Sequence, residues 1–91
     1  MSYALELAAE AQADLARLPI HVAAFLERKL KELAQAPTRL SGPSRFPFRR
    51  HAQLFSCELR SAGYHYYFHV MFQYSQDEQT LHIEAIASQK I

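Results

Sequence analysis

Cysteine is almost missing from this 91-residue chain, in which Cys57 stands alone. One thiol excludes an intrachain disulfide, a zinc-type cysteine pair and a C-x-x-C redox motif, and a reducing cytoplasm is the compartment expected. Glycine is nearly as scarce, with two residues, and three of the four prolines crowd into residues 37–50. With 49% hydrophobic and 21% charged residues, disordered, collagen-like and low-complexity classes are set aside. Long apolar runs are missing too. The opening MSYALELAAEAQADLARL carries Glu6, Glu10 and Asp14 where a signal peptide needs a basic segment and an uninterrupted apolar one. Neither export nor a membrane span is expected. A surplus of one charge sign is also lacking: the net charge is +1, which by itself selects no nucleic-acid partner.

What is present is ordinary globular material, 49% hydrophobic and 21% charged, in a length that makes residues 1–91 one small domain. The distribution of charge is less ordinary. Arg39, Arg45, Arg49, Arg50 and Arg60 face only Glu58 across the middle of the chain, whereas Lys90 faces Asp77, Glu78 and Glu84 near the end.

Periodicity divides the chain. SYALEL alternates Tyr3, Leu5 and Leu7 against polar or small residues, which predicts a short strand. Leu7, Ala11, Leu15 and Leu18 then recur at helical spacing up to Pro19, and Val22, Leu26, Leu30 and Leu33 repeat that spacing up to Pro37. Two amphipathic helices follow, the second with a solvated face of Glu27, Arg28, Lys31 and Glu32. PTRLSGPSRFPFRR, residues 37–50, is an arginine-rich connector. AQLFSCELR, YHYYFHVMFQY and TLHIEAIA then read as three strands of an antiparallel meander. The expected class is α+β, in the order β-α-α-β-β-β, with an antiparallel sheet carrying two helices on one face.

Alternation splits each strand into two faces. Toward the helices it sends Phe55, Cys57 and Leu59, then Tyr66, Phe68, Val70 and Phe72, then Leu81, Ile83, Ala85 and Ala87. To the opposite, open face it sends Ser56, Glu58 and Arg60, then His65, Tyr67 and His69, then His82, Glu84 and Ser88. A half-exposed sheet has a wet side in any case. Histidine and tyrosine, however, titrate or stack where lysine, glutamate and threonine would serve solubility alone. A metal site is not expected, because His65 and His69 on one strand stand roughly 13 Å apart by strand rise. Cys57 has the parity of a buried, inert thiol, and Ser56 lacks a G-x-S-x-G context. RNA suits the face better. Arginine neutralises phosphate, aromatic rings stack on unpaired bases, and imidazole moves protons. RNA cleavage needs no metal when the 2′-hydroxyl attacks its own phosphate beside a base, an acid and a cation.

The order of elements and two segments carry a family resemblance. AQADLARLP fits the pattern A-x-x-D-L-x-x-L-P, and LRSAGY fits the hairpin LR-x-x-G-Y. The chain as a whole resembles the RelE/ParE superfamily of toxins from type II toxin–antitoxin modules, most specifically along LRSAGYHYYFHV. The resemblance implies a RelE-like fold and a cognate antitoxin. It also implies cofactor-free, ribosome-dependent cleavage of mRNA by basic residues on the open sheet face. Arg60 and Tyr64 match the motif, while the family's arginine after it falls on His65 and its basic second-strand positions fall on Ser56 and Glu58. The closing IEAIASQKI offers Gln89 and Lys90 in place of the family's basic, tyrosine-bearing tail. Some RNA-cleaving relatives use histidine and carboxylate instead of lysine and arginine. The implied catalytic set is Arg60, His65, His69 and Glu58, and the implied RNA contacts are Arg45, Arg49, Arg50, His51, Tyr67 and Lys90. ParE-like members poison DNA gyrase without nuclease residues, and a catalytically degenerate relative is a further alternative.

Overall fold

Two prolines set the helical half of the molecule. In the computed structural model, which describes residues 2–43 and 52–91, β1 (Ala4–Leu7) leads into α1 (Ala9–Ala16). Pro19 then caps α2 (Ile20–Gln35), its carbonyl accepting the amides of Val22 and Ala23. Proline suits that position because its fixed φ and missing N–H cost nothing just ahead of a helix. Pro37 ends α2 as expected and opens one further turn, α3 (Pro37–Leu40). Val22, Leu26, Leu30 and Leu33 are all buried, so the 4, 4, 3 spacing is the stripe that seats α2.

The connector contributes a minimal edge strand, β2 (Gly42–Pro43), and then come β3 (Gln53–Ser61), β4 (Tyr64–Tyr74) and β5 (Thr80–Lys90). The five strands lie in the order β1-β5-β4-β3-β2. The meander β3-β4-β5 is antiparallel, while β1 runs parallel to β5, with Leu5 beside Leu81 and Leu7 beside Ile83. The α+β architecture with helices on one face therefore stands, and the sheet is mixed by virtue of its first strand. Ala62 and Gly63 make the β3–β4 turn, both with positive φ (52° and 82°). That is the backbone of the type I′ hairpin, whose twist matches the strands it joins. At the β4–β5 turn, Asp77 accepts the Gln79 amide and the Ser75 hydroxyl. These bonds hold its carboxyl below the usual carboxylate range, the Ser75 bond most strongly.

Phe55, Tyr66, Phe68, Val70, Phe72, Leu81 and Ile83 meet the helices in one core. Each fully buried side chain of this size contributes roughly 1.5–3 kcal/mol relative to exposure. A carboxylate ties helix to sheet at its rim, where Asp14 of α1 accepts the Ile86 amide at 2.9 Å and pairs with Arg17 at 3.3 Å.

One expectation is corrected by the register. Val70 pairs with Ile86 and Met71 with Ala85, but Phe72 pairs with Ile83, so Glu84 is an extra residue in β5. Such a bulge reverses the alternation beyond it. Ile86, not Ala85 or Ala87, enters the helix-side core, and Ala85 packs with Met71, Ala52 and Leu54 on the other face. Ser88 and Lys90 pair with Phe68 and Tyr66, which puts them on the helix side.

Candidate functional site on the open sheet face

Tight turn chemistry brings the polar residues together. The Ala62-Gly63 hairpin sets Arg60 against His65, Glu58 against Tyr67 and Ser56 against His69, and β5 adds Gln89 beside Tyr67 and Ala87 beside His69. All lie opposite the helices. At the neighbouring end of the same face, the register Leu54, Met71 and Ala85 is apolar, with Met71 and Ala85 buried. This apolar band separates the polar group at the hairpin end from the polar contacts nearer β1.

Three side chains form a connected group. The Tyr67 hydroxyl lies 3.1 Å from His65 Nδ1, and the two rings stack at 4.1 Å between centroids, as i, i+2 residues on one strand can. On the other side of the imidazole, Nε2 is 3.3 Å from Glu58 Oε2. Nε2 is buried and has no hydrogen-bond partner, so the His65–Glu58 contact is electrostatic proximity without aligned hydrogen-bond geometry. Exposure differs sharply along the chain of contacts: the His65 side chain is 19% exposed and the Glu58 side chain 63%. One turn of the pleat away, Ser56 Oγ and His69 Nδ1 are 2.9 Å apart. Arg60 is exposed, and with Gly63, His65 and Ile91 it lines a concavity of about 420 Å³ at the hairpin end. The backbone pair between His65 and Ile91, at 2.8 and 2.9 Å, closes that end of the ladder.

A second set of contacts lies toward β1. Glu6 and His82 approach at 3.4 Å across the parallel pair, and Gln73 donates to the Glu84 carboxylate. Among the described residues, no three His, Cys, Asp or Glu side chains gather as a metal site.

Of the residues expected to act, Glu58, Arg60, His65, Tyr67 and His69 share the open face. Lys90 does not: the β5 bulge turns it to the helix side, where its ammonium sits 4.4 Å from the centroid of the Tyr64 ring. Arg45, Arg49, Arg50 and His51 lie outside the described residues. Ser56 and Gln89 join the site in addition, Ser56 legible from its parity on β3 and Gln89 only once the bulge is known. Cys57 points to the helix side, where burial pushes its thiol up to about 11, against a smaller opposing effect of Lys29.

The five-stranded mixed sheet with two main helices on one face matches the fold of solved RelE toxins. The chain superposes on the toxin–antitoxin complex RelBE2 of Mycobacterium tuberculosis with a TM-score of 0.71 at 18% identity, covering 98% of this chain and 100% of that one. A double mutant of the E. coli toxin RelE in the free state gives 0.65 at 18% identity, covering 96% and 83%. The intact E. coli RelBE complex gives 0.64 at 20% identity, covering 94% and 95%. Neither a family model nor a curated protein matches the sequence. The chain has the RelE-like toxin fold.

Proposed function

We propose that this chain is the toxin of a type II toxin–antitoxin pair and acts as a metal-independent endoribonuclease on ribosome-bound mRNA. The observation that supports this best is the group Glu58, His65 and Tyr67 beside Arg60, on the sheet face that the helices leave open. RNA can be cut without a cofactor if its 2′-hydroxyl is deprotonated and the charge growing on phosphorus is stabilised. A carboxylate, an imidazole, a hydroxyl and a guanidinium are the groups such a step uses. Tyr67 offers a ring to an unstacked base, and Arg60 a fork of donors to a phosphate. Arg45, Arg49, Arg50 and His51 supply further phosphate contacts in this reading, and His69, held by Ser56, is the second imidazole.

The partner is a cognate antitoxin, as the RelBE neighbours carry, and the site of action is the cytoplasm. No described helix is long and apolar enough to cross a membrane. Inducing the chain without its antitoxin should stop translation, and primer extension should map new 5′ ends within ribosome-bound transcripts. Arrest of DNA replication with intact transcripts would replace this reading by gyrase poisoning, and normal growth would mark a degenerate relative.

A further inference from the structure

We infer that His65 is a positioning residue and that the proton acceptor of the site is the carboxylate of Glu58. The inference rests on the RNA-cleaving reading for its chemistry, but the geometry behind it stands apart from activity.

A neutral imidazole has one N–H and one lone pair, and its neighbours decide which nitrogen holds which. Here Nε2 faces a carboxylate oxygen at 3.3 Å in a ring that is largely buried. A lone pair on Nε2 would oppose the lone pairs of Glu58, so the proton belongs on Nε2. The Nδ1 lone pair then accepts from the Tyr67 hydroxyl at 3.1 Å. If His65 gains a second proton, Nδ1 donates to the Tyr67 oxygen and Nε2 keeps its own. In neither state does the ring present a free lone pair, and Tyr67 covers one of its faces by stacking. The other charged group opposite His65 is Arg60, its cross-strand partner. From β5 the ring meets the backbone of Ile91, with uncharged Gln89 the next residue on that face. A base needs a lone pair within reach of substrate, and of these three side chains the one that offers it is Glu58, whose side chain is 63% exposed.

Tyr67, His65 and Glu58 thus run from a hydroxyl to a carboxylate, with the imidazole in the middle hydrogen-bonded to Tyr67 and meeting the carboxylate by electrostatic proximity. In the cleavage step, a Glu58 oxygen removes the proton of the ribose 2′-hydroxyl. The 2′-oxygen bonds to phosphorus, and the P–O5′ bond breaks to leave a 2′,3′-cyclic phosphate. The 5′-oxygen takes a proton from water, and the hydroxide left behind recovers the proton from Glu58. Arg60 meets the charge on the phosphoryl oxygens. His65 holds the carboxylate in place without exchanging a proton with the substrate.

Two readouts test this. Nitrogen-15 spectra of the His65 ring should show the Nε2–H tautomer with a hydrogen-bonded Nδ1, and Tyr67→Phe should loosen that preference. A Nδ1–H tautomer in the parent chain would overturn the inference whatever the protein does to RNA. In single-turnover cleavage of ribosome-bound mRNA, Glu58→Gln should lose on the order of 10³-fold in rate, within the range general bases contribute. Glutamine can place an N–H near the position of Nε2, so His65→Gln should stay within about tenfold of the parent while His65→Ala falls about 100-fold. Equal loss in both His65 variants, with Glu58→Gln active, would make His65 the base. A parent chain that cuts no RNA would remove the cleavage reading, and the tautomer would still decide the geometry.

Discussion

The two faces of one sheet have opposite materials and opposite tolerances. On the helix side, Phe68, Phe72, Leu81 and Ile83 are fully buried against α1 and α2. On the open side, next to them in sequence, His65, Tyr67 and His69 contact one another's neighbours through hydroxyl, imidazole and carboxylate groups. Period-2 geometry makes this possible, because adjacent residues of β4 never share a face. Stability and chemistry can therefore be altered one residue apart. The contrast also divides the open face itself, where the apolar set Leu54, Met71 and Ala85 ends the polar half.

The contrast is broken hardest at Phe68. Phe68→Ala should cost about 3–5 kcal/mol by urea unfolding, the range for a large buried aromatic. His69→Ala, one residue on, should stay within about 1 kcal/mol. Comparable losses at both would mean that the open face is packed as the core is.

Asp14→Ala tests how the helix layer is fastened to the sheet rim. It removes the acceptor of the Ile86 amide and strands that N–H at a half-buried position. A loss of about 1–3 kcal/mol is expected, with faster hydrogen exchange at Ile86 as the local signature.

Deleting Glu84 sharpens the account of the bulge. The deletion leaves Ile83 against Phe72 and brings Ala85 against Met71 in regular alternation, so both faces keep their residues. The cost should be about 1 kcal/mol, for the lost Gln73 contact and altered twist. A shift of Ile86 out of the core, seen as lost exchange protection, would show that Glu84 does more than occupy an extra place.

How far the sequence announced this arrangement depends on the element. The 4, 4, 3 spacing of Val22, Leu26, Leu30 and Leu33 specified the buried stripe of α2, and Pro37 its end. Alternation assigned β3 and β4 correctly throughout, because each has apolar residues at one parity and titratable ones at the other. It failed in β5. Ile83, Ala85 and Ile86 are all apolar, so either phase satisfies the core, and a single-residue bulge leaves no mark in such a run. Ser88 was placed on the wrong side for that reason alone. The parallel pairing of β1 was also illegible, since a short alternating strand is the same pattern in either direction. Within the site, parity grouped Glu58, His65 and Tyr67, but only the register shows Glu58 beside Tyr67 and reaching diagonally to His65.

The smallest effect separates the faces by reactivity at neutral pH. Ser56 and Cys57 are neighbours on β3 with opposite parity, Ser56 exposed and Cys57 packed against the core. Burial pushes the Cys57 thiol from 9.0 up to about 11, which leaves little thiolate to react. Iodoacetamide should therefore modify Cys57 slowly in the folded chain, while Ser56→Cys in a Cys57→Ala background should react about tenfold faster or more. The shift also carries a stability consequence with a definite sign. Because the folded state holds the proton more tightly than the unfolded state, it binds more protons between pH 9.0 and about 11, and stability falls across that window as pH rises. Below pH 9.0 both states are protonated and this group imposes no slope. Cys57→Ala should remove that part of the alkaline decline and leave the rest, whereas an unchanged decline together with fast alkylation of the parent would place the thiol on the open side of the strand.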